Sequence, residues 1–292
     1  MKKILSALTQ PYPYYNYTHK LPRQSLAVFL LVFLFLYLFS PFTVNETEHK
    51  YSYVVICAIH ALNAAVIFFL FFLVVNKLSA PWPKEENWKV YNTILLTSVL
   101  LIFIGTGSFF CRPLIYSNPD NISWRYFFKE TINTFLVGSL VFAGFTLFDM
   151  YRLLKNNRVG ASGFEEEIKK HLVDKEENQL VNISVENEAY EINLAEFLFV
   201  KAEGNYSRFY FNRNNNTVKE LKRTSLKNIE EQLTPLAPAA IRTHRTFLVN
   251  TKHIIKMTGN AQGYQLYFQN TDFAVPVSRA MIPAFKQTMQ QT

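Results

Sequence analysis

Four long runs of apolar residues dominate the first half of the chain, at about residues 25–42, 53–75, 90–111 and 131–150, each almost free of charge. A helix needs about 20 such residues to cross roughly 30 Å of hydrocarbon, and only helices or closed barrels satisfy their backbone groups there. Barrel strands would alternate apolar and polar positions, and these runs do not, so the pattern predicts four transmembrane helices within an α-helical membrane domain over 1–150. Beyond residue 180 the period shortens. Residues 180–185, 197–201 and 208–211 read as short strands, and Asn214-Asn215-Asn216 marks a turn. Leu226, Ile229 and Leu233 then give one buried helical stripe, and strand-like segments resume at 246–249, 254–257, 264–268 and 273–277. The pattern predicts a mainly β domain with a short helix over 180–292, without the helix pair of a helix-turn-helix reader.

Between the two lies a linker, 151–179. Gly160, Ser162 and Gly163 mark a flexible joint, after which Phe164, Ile168, His171 and Leu172, with Val173 beside them, recur at helical spacing. This predicts a short amphipathic helix, which either pairs two protomers or lies on its own domain; short stripes more often do the latter.

Composition sharpens the membrane reading. Hydrophobic residues make up 49% of the chain, and many of its 27 Phe and 16 Tyr fall in the first half. Lys2 and Lys3 resemble the start of a signal peptide, but the apolar stretch from Ile4 to Leu8 is too short for its core, so an uncleaved membrane protein is expected. With the N-terminus inside, the cytoplasmic segments carry ten basic residues: Lys2, Lys3, Lys20, Arg23, Lys77, Lys84, Lys89, Arg152, Lys155 and Arg158. The external loops carry four: Lys50, Arg112, Arg125 and Lys129. The positive-inside rule therefore places both termini in the cytoplasm.

Other features of this half have more than one reading. Cys57 and Cys111 fall near helix ends on the outer face, where a bridge is geometrically conceivable, although cysteines in apolar helices usually act as small hydrophobes. His60 and Asn63 share a helix face, either as a functional polar pair or as bonds to a neighbouring helix. Gly105, Gly107, Gly138 and Gly144 would permit close helix packing. The external loops, 44–52 and 112–130, are too short for a folded ligand domain, so a sensed molecule would be small, lipidic or presented by another membrane protein. The triplets beginning at Asn45 and Asn121 match the glycosylation pattern, which chance often produces.

Charge is unevenly spread. Residues 165–196 hold ten acidic side chains against three lysines, whereas residues 201–292 hold thirteen Lys and Arg against five acidic side chains. A basic excess of this kind suits phosphate neutralisation, and equally an ordinary solvated face.

The motifs choose between these. Ile241-Arg242-Thr243-His244-Arg245-Thr246-Phe247-Leu248-Val249-Asn250 places His beside Arg between apolar strand residues, and Val275-Pro276-Val277-Ser278-Arg279 offers another Arg just past a strand. Upstream stand an acidic-Gly-Asn-Tyr turn at Glu203-Gly204-Asn205-Tyr206 and a Thr-x-Leu-Lys helix start at Thr224-Ser225-Leu226-Lys227. These four motifs, in this order and spacing, resemble the LytTR-type DNA-binding domain of bacterial transcription regulators, over roughly residues 180–292.

The resemblance implies a β scaffold whose loops enter successive major grooves of double-stranded DNA. It implies that Asn205, Tyr206 and Ser207 lie on a first contact loop, that His244 and Arg245 form a second, and that Arg279 reads bases, since a guanidinium can bond guanine O6 and N7 together. Lys201, Arg208, Lys222, Arg223 and Lys227 are candidate phosphate contacts, which position without specifying. Structural roles stand beside these: His244 as a brace for the strand that follows, Asn250 closing a turn, Glu203 and Gly204 shaping the first loop, and Arg279 paired with an acidic side chain.

The expected function is a membrane-anchored transcription regulator in a bacterial inner membrane. The bilayer, a homodimer partner and a signal-delivering membrane protein are its other possible associates. The alternative is a membrane scaffold whose soluble domain binds protein. With no Gly-rich phosphate loop, nucleotide signature or metal-ligand cluster in the sequence, no catalytic residue, cofactor or metal site is expected.

Overall fold

The computed structural model describes residues 6–14, 20–41, 46–78, 87–173, 178–186 and 188–291. Lys2, Lys3, Ile4, Phe42, Asn45, Lys84 and the side chains of His171, Leu172 and Val173 lie outside the described residues. The chain divides into two compact units, Met1–Asp149 and Met150–Thr292.

The first unit is helical. Helices α1 (Leu21–Phe39), α2 (Tyr53–Lys77) and α3 (Val90–Ile115) precede α4 (Trp124–Ser162), which contributes to both units. All four are long and apolar enough to cross a membrane. Asn63 bonds its neighbour: its amide donates to the Ile104 carbonyl and to Ser108 Oγ, each at 3.1 Å, and ties α2 to α3. Gly105 faces Thr131, Gly107 faces Asn63 and Ile67, and Gly138 faces Leu101 too closely for a Cβ. A Cβ on Gly144 would meet nothing within 4 Å among the described residues, so the described helices make no close contact there. Cys57 and Cys111 are both free.

Arg112, read from the sequence as an external-loop residue, is instead inside α3 and 2% exposed. A charge can be buried there because Glu130 of α4 pairs with it. The rings of Tyr116 and Tyr126 also flank the guanidinium at 4.8 and 3.8 Å.

The second unit is a layered β structure. Its centre is an antiparallel sheet ordered β5-β4-β3-β7-β6, formed by β3 (Phe197–Glu203), β4 (Tyr206–Arg213), β5 (Asn216–Lys222), β6 (Ala240–His244) and β7 (Phe247–Asn250). Strand β3 is central, and Phe197, Leu198, Phe199 and Val200 are all buried because both faces of the sheet are covered. One face packs against the β1–β2 hairpin (Leu180–Val185 and Glu188–Asn193) and helix α6 (Leu226–Leu233). Val181, Ile183 and Ile192 meet Phe209, Phe211, Ile229 and Leu233 there. The other face packs against a second sheet of β8 (Ile254–Asn260), β9 (Gly263–Phe268) and β10 (Val275–Ser278), with helices α5 (Glu165–Val173) and α7 (Ile282–Gln291). Phe199, Tyr210 and Val249 meet Tyr264, Leu266, Val277, Phe285 and Met289 in that core.

The joint expected at Gly160 and Gly163 is not seen. Helix α4 continues to Ser162, Ala161 is 2% exposed, and Phe164 and Ile168 are buried in the same core as Tyr264 and Phe285. The amphipathic segment therefore lies on its own domain. Four elements of this unit were absent from the sequence pattern: β2, β5, β6 and the terminal helix α7.

Candidate nucleic-acid interface

Strand pairing decides which loops share an end of the central sheet. In the β3–β4 hairpin Glu203 stands opposite Tyr206, leaving Gly204 and Asn205 as a two-residue turn. Gly204 takes φ +64°, a left-handed value that glycine adopts without steric cost. Because β3 is antiparallel to β7, Lys201 stands opposite Phe247, and the Ala202 amide donates to the Thr246 carbonyl at 2.8 Å. The β6–β7 turn at Arg245-Thr246 thus lies beside the Gly204 turn. On the other side Lys222 pairs with Ser207, so the chain leaves β5 at this same end.

One end of the sheet therefore gathers Asn205, Tyr206, Lys222, Arg223 and Arg245. Asn205, Arg223 and Arg245 are exposed, and Tyr206 is 45% exposed. Lys222 is half-buried, its Nζ 4.4 Å from the centre of the Tyr190 ring. Helix α6 starts nearby: Ser225 caps it by accepting from the Asn228 amide at 3.1 Å. Lys227 in its first turn is exposed, 3.6 Å from Glu231.

Two predicted contact residues are drawn inward. Ser207 is 0% exposed and donates to the Thr224 carbonyl at 2.8 Å, fastening β4 to the segment after β5. It is a structural residue, because the two-residue turn places it on the covered face of β4. His244 is 7% exposed. Its Nδ1 accepts from the Thr246 amide at 3.2 Å and lies 2.8 Å from Thr246 Oγ1, so the ring braces the β6–β7 turn.

Lys201 and Arg208 are only partly available to phosphates. Arg208 donates from Nε and Nη2 to Glu203 Oε2 at 2.9 and 2.7 Å, and Lys201 Nζ lies 3.3 Å from Oε1 of the same carboxylate. The hydrogen bonds from Arg208 hold the Glu203 carboxyl below its ordinary range, with Lys201 adding to the effect. Glu203 thus braces the root of the first turn with two cations.

The sequence reading did not single out Arg242. Its Nη1 donates to Glu230 of α6 at 2.9 Å, its Nη2 to the Arg245 carbonyl at 3.0 Å and its Nε to the His244 carbonyl at 3.3 Å. One side chain therefore anchors the backbone that presents Arg245. The signal lay in the motif itself, which opens on this arginine. Asn250 closes a turn: its Oδ1 accepts from the Lys252 amide at 3.2 Å and its amide donates to the Leu194 carbonyl at 3.3 Å.

Arg279 belongs to the second sheet. It is half-buried and follows Ser278, which pairs with Gly263 across β9–β10. Gly263 has φ +146° and passes so close beneath the Val277 carbonyl that a Cβ would overlap it. Strand β10 packs beside β6, which carries Arg242 and His244.

Residues 187–290 match the family model of the LytTr DNA-binding domain. A solved structure from Bacillus cereus, described as the LytTr DNA-binding domain of a methyl-accepting/DNA response regulator, is 20% identical. It has a TM-score of 0.31, with 39% of this chain and 98% of that chain covered. No curated protein matches the chain. The C-terminal, mainly β domain of this chain is a LytTR-type DNA-binding domain, and it follows a helical region of four apolar helices.

Proposed function

We propose that this chain is a membrane-anchored, non-enzymatic transcription regulator. In this reading the four apolar helices span a bacterial inner membrane with both termini in the cytoplasm, and the C-terminal domain binds double-stranded DNA sequence-specifically. The observation that carries it is the set of exposed polar and basic residues at one end of the central sheet. Two adjacent turns present Asn205 and Arg245 there, within a region of net positive charge. Turns held by Glu203 and Arg242 offer side chains in fixed positions, which base readout in a groove requires. Arg223 and Lys227 are exposed beside them and supply the phosphate contacts that give affinity without specificity.

The test is selection from random duplexes by the full chain in lipid nanodiscs at physiological salt. A recovered motif is the expected result. Retention of DNA without any preferred sequence, or no retention, would overturn the reading and favour a domain that binds protein.

A further inference from the structure

Besides the burial of Ala161 in the core, the last turns of α4 pack against the β8–β9 turn. The Asn157 side-chain amide donates to the Asn260 carbonyl at 2.6 Å. Asn260 closes the turn in its own right, its Oδ1 accepting from the amides of Gln262 and Gly263 at 2.8 and 3.1 Å. Gly259 lies against the Asn157 and Arg158 backbone with no room for a Cβ, and Gly160 lies equally close to the Tyr264 hydroxyl. Of the residues touched, Tyr264 pairs directly with β10, and Gly259 and Asn260 of β8 pair with Tyr264 and Gly263 of β9, which carry the contact on to β10. Gly263 pairs with Ser278 and Tyr264 with Val277, and a Cβ on Gly263 would fall 3.7 Å from the Arg279 amide.

We propose that Asn157 and Gly160 position Arg279, so that α4 regulates the base contact of Arg279 through the β8–β9 turn. This rests on the reading of the domain as a sequence-specific DNA binder. The route contains no loop: helix α4, a tight turn closed by Asn260, and two antiparallel residue pairs lead to the Arg279 backbone. The contacts on it are one side-chain hydrogen bond, the helix backbone against Gly259, and Gly160 against the buried Tyr264, so displacement of the helix displaces the strand. Helix α4 is one continuous element from Trp124 among the apolar residues to Ser162, and a rotation or slide of its last turns therefore bears on the base-reading end. Arg245 has its own anchor in Arg242 and Glu230 and lies outside this route.

The test uses the full chain in nanodiscs and compares base preference, position by position, for wild type, Arg279→Ala, Arg245→Ala, Gly259→Ala and Asn157→Ala. Arg279→Ala and Arg245→Ala define which base pair each arginine reads. Gly259→Ala forces the helix off the turn and Asn157→Ala removes one hydrogen bond without adding bulk, which keeps the test valid if the former fails to fold. Both are expected to lower discrimination at the Arg279 base pair by roughly fivefold or more, to spare the Arg245 base pair, and to have no further effect in an Arg279→Ala background. Equal loss at both base pairs, or no loss in either variant, would overturn the positioning role. Wild type without any base preference would overturn the DNA-binding reading itself, which is a separate result.

Discussion

Ser207 and Arg245 belong to neighbouring motifs at one end of one sheet, yet burial assigns them opposite work. Ser207 is fully buried and donates to Thr224, so Ser207→Ala is expected to lower stability by about 0.5–1.5 kcal/mol and to leave base preference unchanged, as denaturant titration and DNA selection would show. Arg245 is exposed on its turn, and Arg245→Ala is expected to lose about 1–3 kcal/mol of discrimination at one base pair with stability nearly intact. The sequence could not separate these two, because a motif records spacing and a serine looks the same on either face of a strand. Glu203 shows what the motif conceals in a second way. Its carboxyl is held below its ordinary value by Arg208 and Lys201, so the stability it adds is present above the unfolded carboxylate value. That stability disappears as pH falls through the lower folded value. Denaturant titrations should therefore show Glu203→Gln less stable than wild type near neutral pH, with the gap closing in acid. A gap that widens in acid would contradict the ion triad.

Which elements were legible follows from how many faces each strand or helix buries. Strand β3 is buried on both faces and reads as an apolar run, and α6 shows Leu226, Ile229 and Leu233 at helical spacing. Strand β5 is an edge strand, Asn216-Thr217-Val218-Lys219-Glu220-Leu221-Lys222, with none of its residues fully buried, so no periodicity marks it. Strand β2 buries only Ile192. The terminal helix α7 buries Phe285 and Met289, two positions that are too few to stand out in a ten-residue segment. The segment expected to be a joint behaved differently again, because Gly160 and Gly163 lie where the helix packs closely and where it ends. Ala161, Phe164 and Ile168 close one core of the domain, and Phe→Ala changes in such cores cost about 3–5 kcal/mol. A fragment starting at residue 180 is therefore expected to melt well below one starting at residue 150 and to bind an apolar dye. Equal melting temperatures would show that the helix is an optional addition.

At the scale of the molecule, hydropathy divides the chain as the fold does, with apolar helices before a β unit, whereas charge divides that second unit again into an acidic stretch, 165–196, and a basic remainder, 201–292. The basic excess is unequal in its availability. Arg223 and Lys227 are exposed, whereas Lys201 and Arg208 are held by Glu203. Log affinity falls with log salt by about 0.9 per phosphate neutralised, so Arg223→Ala and Lys227→Ala should each flatten that slope by about 1. Lys201→Ala and Arg208→Ala should change it less, and the reverse ranking would show that the ion triad opens on DNA. The four helices were legible because each holds a long run of apolar residues; the Arg112–Glu130 pair within them was not, because its partners come from two helices. The central claim is that separate arginines on the two sheets read separate bases, and the most direct measurement is the base-preference profile of the full chain in nanodiscs beside those of Arg245→Ala and Arg279→Ala. The account predicts a defined motif in which each variant erases preference at its own position and keeps the rest. A profile that is flat in wild type, or unchanged in both variants, would contradict it.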